Sequence, residues 1–527
     1  MKPFQSLHRM NRRSFLATAG AGALALGSPI AFAQRMPVRQ RRFVISSDQF
    51  IRMFPELPPF APPSSALTAA LNELGKPGGI LDAKDALDRG PIDLITDLTL
   101  SEGNRNNVGQ SAGTTFIGQF LDHDLTFDLS SRLGEPTRLD RSRNERTPAF
   151  DLDSVYGGGP RDDPDLYEDL GRRLRFDARG PVLKLESGGL FEDVARGANG
   201  QAILADPRND ENMIISGLQA AVISFHNRVA TDLARRNTRS SPDHVFFEAR
   251  RLTTWHYQWM IVNEFLPLFV GNAMVDDLLS NGRRFFTPRL AAIPVEFQGA
   301  AYRFGHSMVR PSYRANLKGD NGNPFFGLIF DPSQENATDP TDLRGGRRAP
   351  RRFIGWQTFF DFGDGEVRPN KRIDTKLSTP LFNLPLGTIA TGDAPTSLPQ
   401  RNLLRHVTWQ LASGQAIAQT MGVPPLSAAD LSELKGLGAN LVTSTPLWYY
   451  ILKEAAVMND GLTLGPVGGR IVAEVFIGLL QMDRGSYLSE NPRWRPTLPD
   501  RSGKVSGEFR MVDFLTLAGV DPKSRGQ

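Results

Sequence analysis

Apolar side chains at 116, 117, 120, 121 and 125 (Phe, Ile, Phe, Leu, Leu) are spaced as one face of a helix. A second pattern is longer: Ile215, Leu218, Val222, Phe225 and Val229 step by three and four, giving a buried stripe up to about Arg236. Asp206-Pro207 reads as its start, an N-cap residue followed by proline at the first helical position. Further helices are expected over 245–270, 400–420, 427–437 and 465–482, with a short one near Ser65 to Gly75. From about residue 110 onward helices alternate with long Gly/Pro/Asp loops. Strand-like alternation is scarce and no internal repeat is present. The stretch 313–400 is loop-heavy, and Lys318-Gly319-Asp320-Asn321-Gly322-Asn323-Pro324 is its strongest turn signal.

The N-terminal part has a different texture. Arg12-Arg13-Ser14-Phe15-Leu16 precedes a weakly apolar, Ala/Gly-rich run that ends in Ala31-Phe32-Ala33, the form of a twin-arginine export signal over 1–33 with cleavage before Gln34. A membrane anchor is the competing reading, but the run is too short and too rich in glycine to span a bilayer stably. No later segment has about 18 uninterrupted apolar residues. The expectation is export across a prokaryotic inner membrane to the periplasm or the medium. Residues 34–95 are Pro-rich, with Pro55 to Pro63 as an irregular wrapping segment, and 96–527 is expected to be the catalytic domain.

Composition narrows the chemistry. The chain of 527 residues contains no cysteine, which excludes disulfides, thiolate-ligated haem, zinc–thiolate sites and cysteine nucleophiles. The net charge of +4 belongs to the leader: without Lys2, Arg9, Arg12 and Arg13, 57 of the 61 basic residues remain, equal to the 57 acids. There is then no global electrostatic case for nucleic acid or anionic membrane. Basic clusters at Arg39 to Arg42 and Arg344 to Arg352 lie among Gly and Pro and read as solvated loops.

The first helix carries Gly118-Gln119-Phe120-Leu121-Asp122-His123-Asp124, a histidine between two carboxylates on a largely apolar face. Histidine is the side chain best suited to move protons near neutral pH, and carboxylates hold metals or form covalent links. This heptapeptide resembles the distal-histidine segment of the animal-type haem peroxidases, the myeloperoxidase, lactoperoxidase and peroxidasin family. Together with the helical segments, the resemblance implies a mainly α fold: a single large helical domain with long loops, little β structure and one haem between central helices.

Haem chemistry needs an axial nitrogen on one side of the iron and a proton shuttle with a charge stabiliser on the other. Apart from His8 in the leader, six histidines are available. The resemblance makes His123 the distal one, with Gln119 one turn earlier placed for a halide or water. Tyr302-Arg303-Phe304-Gly305-His306-Ser307-Met308-Val309 is similar to the family's proximal segment. It implies His306 as the iron ligand, with Arg303 beside the cofactor and Gly305 allowing close approach to a flat macrocycle. A lone histidine on an apolar helix is more often structural, and the joint occurrence of the two segments in order is what reverses that.

Arg208-Asn209-Asp210-Glu211 resembles the family's Arg-x-x-Glu, with Arg208 stabilising charge as the peroxide bond breaks. A surface Arg/Glu pair at a helix start reads the same. The resemblance further implies haem b, with ester links through Asp122 and Glu211. Asn212 stands where myeloperoxidase has a methionine, so no sulfonium link is expected. Thr147-Pro148-Ala149-Phe150-Asp151-Leu152-Asp153 resembles the family's calcium loop. If extended, it points residues 147, 149, 151 and 153 the same way, so that Thr147, the carbonyl of Ala149, Asp151 and Asp153 meet one hard cation, with Asp124 completing the shell. An Asp-rich surface turn is the alternative. Asp153 replaces a serine common among relatives. Arg401-Asn402-Leu403-Leu404-Arg405 is similar to the family's Asn-x-x-Arg, and Asn402 is expected to accept the ring N–H of His306. His226-Asn227 also matches a family pair, but it lies roughly 22 Å along the helix from Glu211 and reads as structural.

The implied activity is reduction of hydrogen peroxide and oxidation of a halide, pseudohalide or aromatic donor. A haem-dependent fatty-acid dioxygenase would need a tyrosine three residues before His306, and Arg303 stands there; Tyr302 is one position out. A non-catalytic adhesion or matrix protein retaining the fold would be marked by loss of His123, Arg208 or His306, and all three are present.

Overall fold

The start of the longest described helix explains how this chain places its polar groups. Asp206 caps only a 3-10 turn, Pro207–Asp210, by accepting the Arg208 N–H. The α-helix Met213–Arg236 begins later, where Asn212 Oδ1 accepts the N–H groups of Ile214 and Ile215 at 3.1 and 2.9 Å. The expected opening at Asp206-Pro207 is therefore corrected: two caps act in series. Arg208 lies on the tighter turn, where residues three apart eclipse, and Glu211 caps its end.

The structure, a computed structural model, describes residues 46–527 apart from 169–172, 175–182, 185–189, 192, 237, 350 and 390. The leader at 1–33 and the cluster Arg39 to Arg42 lie outside the described residues. The architecture is mainly α. The stripe from Ile215 to Val229 is buried throughout the central helix. Each such aliphatic or aromatic side chain contributes about 1.5–3 kcal/mol by leaving water. Pro242–Met260 packs along this helix, and the C-terminal helix Met511–Ala518 closes it with Phe514 stacked on Phe225 at 4.0 Å between ring centroids. Ala112–Leu125 is buried nearly all round, as befits a helix in the core. It packs against the central helix and against a 3-10 segment, Ala301–Met308. Ser65–Leu74 forms as expected, and its Leu67, Leu71 and Leu74 join the same core.

Helix Leu398–Thr408 is braced by His406, whose Nδ1 meets the Asn402 carbonyl at 3.1 Å and whose Nε2 accepts the Trp448 N–H at 3.0 Å. Trp448, on Leu447–Asn459, in turn donates Nε1–H to the carbonyl of Arg303. A chain of buried hydrogen bonds thus ties two helices to the segment that carries His306. Pro466–Met482 is a further core helix, its first N–H groups accepted by Glu454.

The expected 245–270 helix is Pro242–Met260 continued by a π-turn, Ile261–Phe265, and a short helix to Val270. The expected 400–420 helix is two, Leu398–Thr408 and Gly414–Met421, broken where Gln410 adopts φ +48° and Ser413 caps the second. Over 427–437 only the 3-10 turn Ser432–Leu434 forms. Ser427 and Asp430 hydrogen-bond each other's local groups, and Gly436 at φ +87° stops propagation. The turn at Asp320-Asn321-Gly322-Asn323 closes a hairpin, Ser312–Asp320 with Asn323–Leu328, through positive φ at Asn321 and Gly322. In the loop Arg344 to Arg352 two arginines are buried rather than solvated: Arg348 donates to the Met213 carbonyl, and Arg352 to the carbonyls of Pro340, Asp342, Arg344 and Gly345. No helix among the described residues is long and apolar enough to cross a membrane.

Candidate active site

The His123 helix, the Arg208 turn and the His306 segment converge on one cavity of about 280 Å³, and Gln119, Asp122, Glu211 and Arg303 also line it. Both imidazoles thus belong to the lining of one cavity. Burial, then the charge of Arg208, pushes His123 down to about 3. Burial, then Arg303, does the same to His306. Both rings are neutral near pH 7, which leaves each with one nitrogen lone pair for a proton or a metal.

His123 Nδ1 stands 2.9 Å from Asn209 Oδ1, and its Nε2 lies 3.8 Å from Glu211 Oε1. Arg208 is held rigidly. Its Nε and Nη2 donate to Asp206 at 3.1 and 2.8 Å, and Nη2 also donates to the carbonyls of His123 and Thr126. Its guanidinium covers the Phe127 ring at 4.2 Å, and Nη1 is 3.7 Å from Asp122 Oδ2. Burial opposes this charge, but Asp206, Asp122 and Glu211 outweigh it and hold Arg208 above its ordinary value. Burial works against the Asp206 carboxylate too. Arg146, whose Nε is 2.9 Å away, and Arg208 hold that carboxylate well below its usual range. A fixed cation is therefore aimed at the cavity by a buried ion-pair triad.

The two carboxyls expected at the cofactor edge both face this cavity. Asp122 Oδ1 accepts the Thr126 hydroxyl at 3.0 Å, and burial raises its pKa. Burial, reinforced by Asp206 and Asp122, pushes Glu211 up to about 8, so it is largely a neutral acid at pH 7. Gln119 Nε2 donates to Glu211 Oε1, while Gln119 Oε1 accepts Asn212 Nδ2–H at 3.3 Å. Gln119, where a halide or water is expected, thus has each end of its amide engaged once and lines the cavity.

His306, also in the lining, sits on a 3-10 segment, with Gly305 positioned so that an added Cβ would meet nothing within 4 Å. Asn402 is its partner, as the sequence suggests, but with the opposite sense. Asn402 Nδ2 donates to His306 Nδ1 at 2.8 Å, because Oδ1 accepts Arg303 Nη1–H at 3.4 Å. Burial and Arg405 push Arg303 down to about 10, still cationic at neutral pH, and Arg405 lines the same cavity with its Nη1 paired to Asp128 at 3.0 Å. Tyr302 is committed elsewhere, its hydroxyl donating to the Gly118 carbonyl at 3.0 Å. His226 binds the Tyr156 hydroxyl at 3.0 Å, a structural role as read.

A second cluster lies behind His123. Carboxylate oxygens of Asp124, Asp151 and Asp153 fall within 4.8 Å of one another. Thr147 and Ala149 are buried in the same loop, but the loop is not extended as expected. Ala149 N–H turns back to the Thr147 carbonyl at 2.8 Å, Leu152 adopts φ +57°, and Asp153 begins a short helix. Asp153 is engaged by Arg146 Nη1 at 3.3 Å and by the Thr147 N–H at 2.8 Å. Asp124 Oδ2 accepts the Leu152 N–H at 3.1 Å, while Oδ1 is buried with no hydrogen-bond partner. Burial and Asp151 raise the Asp124 pKa strongly. These carboxylates can hold a hard cation.

Sequence reasoning passed over Asn209, although it lies inside the Arg208–Glu211 motif, and over Arg146 and Asp206 as the charge frame of the site. Their signal is spatial: the hydrogen bond between His123 and Asn209 spans 86 residues.

Residues 130–333 match the family model described as animal haem peroxidase. His123 lies just before that stretch and Asn402 after it, so the cavity geometry carries both. Chorion peroxidase of Drosophila melanogaster is 27% identical over 304 residues, 54% of this chain and 34% of the relative. Eosinophil peroxidase of Mus musculus is 29% identical over 182 residues, 32% of this chain and 25% of the relative. The chain spans about a third or less of the length of these relatives. Among solved structures, peroxidase A from Dictyostelium discoideum superimposes with a TM-score of 0.54 at 17% identity, covering 84% of this chain and 88% of that one, which speaks for the fold.

Proposed function

We propose, since this chain belongs to the animal haem peroxidase family, that it reduces hydrogen peroxide and oxidises a halide, a pseudohalide or an aromatic donor. The observation that carries the reading is the pair of neutral imidazoles, His123 and His306, lining one cavity beside the fixed cation of Arg208. The residues fit a haem: two neutral imidazoles and two arginines in the lining of one cavity, and a glycine beside one imidazole with open space at its Cβ position. His306 would hold the iron, Arg303 and Arg405 would face the porphyrin carboxylates, and Asp122 and Glu211 are the carboxyls available for ester links. Bound haem would supply the iron that cleaves the peroxide bond and stores the oxidising equivalents a donor removes.

The chain's own groups do the proton and charge work. His123 Nε2, unprotonated, takes the proton of hydrogen peroxide and returns it to the departing oxygen. Arg208, held by Asp206, stabilises the charge that separates, and it needs no reorganisation to do so. For His306 to use Nε2 as a ligand, its proton must sit on Nδ1. The Asn402 amide must then turn over to present Oδ1, exchanging its Arg303 contact for one with the ring.

Calcium at Asp124, Asp151 and Asp153 is part of the proposal. A cation would satisfy Asp124 Oδ1 and tie the helix of His123 to the 147–153 loop. The twin-arginine leader supports export, to the periplasm or beyond. The testing experiment is to purify the exported protein, record the visible spectrum after denaturation, and assay peroxide turnover with bromide, iodide, thiocyanate and a phenol. Haem retained and at least one donor oxidised is the expected result. A haem-free protein inactive with all four would contradict the proposal and favour an adhesion or matrix role.

A further inference from the structure

Asn209 is fully buried beside the cavity and touches no part of it that a substrate would occupy. Its Oδ1 stands 2.9 Å from His123 Nδ1. Its Nδ2 faces two acceptors, Gln219 Oε1 at 2.9 Å and the backbone carbonyl of Ser154 at 3.5 Å. A carbonyl cannot donate, so the nitrogen of the amide belongs on that side and the oxygen on the side of the histidine. An acceptor at Nδ1 requires Nδ1 to carry the proton. The other tautomer would set two lone pairs against each other in a buried place, losing one hydrogen bond, worth about tenfold in population.

We propose that Asn209 is a positioning residue that fixes His123 in the Nδ1–H tautomer, so that Nε2 faces the cavity as a ready proton acceptor. Gln219, in the second turn of the central helix, holds the amide from the other side, and the 3-10 turn Pro207–Asp210 carries Asn209 and Arg208 together. One short turn therefore delivers both the charge stabiliser and the group that aims the base. The inference rests on the peroxidase reading above and adds a residue through which that reading operates.

The test uses the full haem-loaded chain and rapid mixing. One readout is the rate of the Soret-band change with hydrogen peroxide. The other is the association rate of hydrogen cyanide, which must give up its proton on binding and needs no turnover. N209L is expected to slow both by about 10- to 100-fold, the usual cost of losing an orienting partner. N209D keeps an acceptor at the ring and is expected to recover most of the loss. Should N209L fail to take up haem, N209D and Q219L carry the test, with Q219L slower than the parent in both readouts and N209D faster than Q219L. H123A separates the two levels of the argument. If H123A is impaired while N209L reacts at the parent rate, or if N209D is as slow as N209L, the role of Asn209 is overturned and the peroxidase reading stands. If H123A itself reacts normally, both fall.

Discussion

Asn402 Nδ2 donates to His306 Nδ1 across 2.8 Å, and the oxygen of the same amide accepts from Arg303. One side chain therefore sets both the orientation of the expected iron ligand and the place of a cation at the cavity edge. N402L removes both contacts while keeping the volume. It should weaken haem retention by about 10- to 100-fold, whereas N402D, with an acceptor toward either partner, should retain haem at least as well as the parent. Haem uptake by the apo-proteins, read before any ester link forms, measures this; equal uptake by N402L and the parent would remove Asn402 from the site.

Asp206 lies between Arg146 and Arg208 with all three side chains nearly or fully buried. Removing the carboxylate leaves two desolvated cations facing each other, so D206N should cost about 3–5 kcal/mol of unfolding free energy. The exposed pair of Arg138 and Asp140 is the contrast, and R138A there should leave stability essentially unchanged. Urea unfolding of the three proteins reads both outcomes.

The unpartnered Asp124 Oδ1 predicts a calcium-dependent stability. Calcium at about 100 times its dissociation constant should stabilise the parent by about 2.7 kcal/mol, raising its thermal midpoint, and chelation should reverse the rise. D124N should show neither response. A midpoint indifferent to calcium in the parent would leave the three carboxylates as an acidic turn braced by Arg146.

Glu454 is buried at the start of Pro466–Met482, where it accepts the N–H groups of Val467 and Gly468, and burial pushes its pKa from 4.5 up to about 7. Between those values the folded chain holds a proton that the unfolded chain has lost. Stability from this group is therefore full below about pH 4.5 and declines as pH rises through 7. E454Q keeps an acceptor without the charge. It should flatten the decline between pH 5 and 8 by on the order of 2 kcal/mol, while Asp483 and Glu264, also raised to about 7, and Glu211, raised to about 8, contribute in the same direction. An unchanged slope in E454Q would contradict this.

Much of the site was readable because its parts are short and locally patterned. The spacing of Phe116, Phe120 and Leu121 gives the helix of His123, and three residues from Arg208 to Glu211 put both on one face whether the turn is α or 3-10. What escaped reading depends on partners distant in the chain. A 3-10 segment such as Ala301–Met308 has no letter pattern that separates it from one of α type, and Arg348 and Arg352 look solvated until the carbonyls that bind them arrive from elsewhere. The Asn402 amide points as it does because of Arg303, a contact 99 residues away. Asn212 was noted only for the methionine it replaces, and in the fold it starts the central helix and binds Gln119.

The central claim is that His123 and His306 serve one haem from opposite sides, one moving protons and the other holding the iron. The most direct measurement is the rate of the Soret-band change with hydrogen peroxide in H123A, beside the haem content of H306A. H123A should bind haem like the parent and react about 10²- to 10⁴-fold more slowly, while H306A should lose the haem. Parent-like peroxide reactivity in H123A, or full haem content in H306A, would contradict the account.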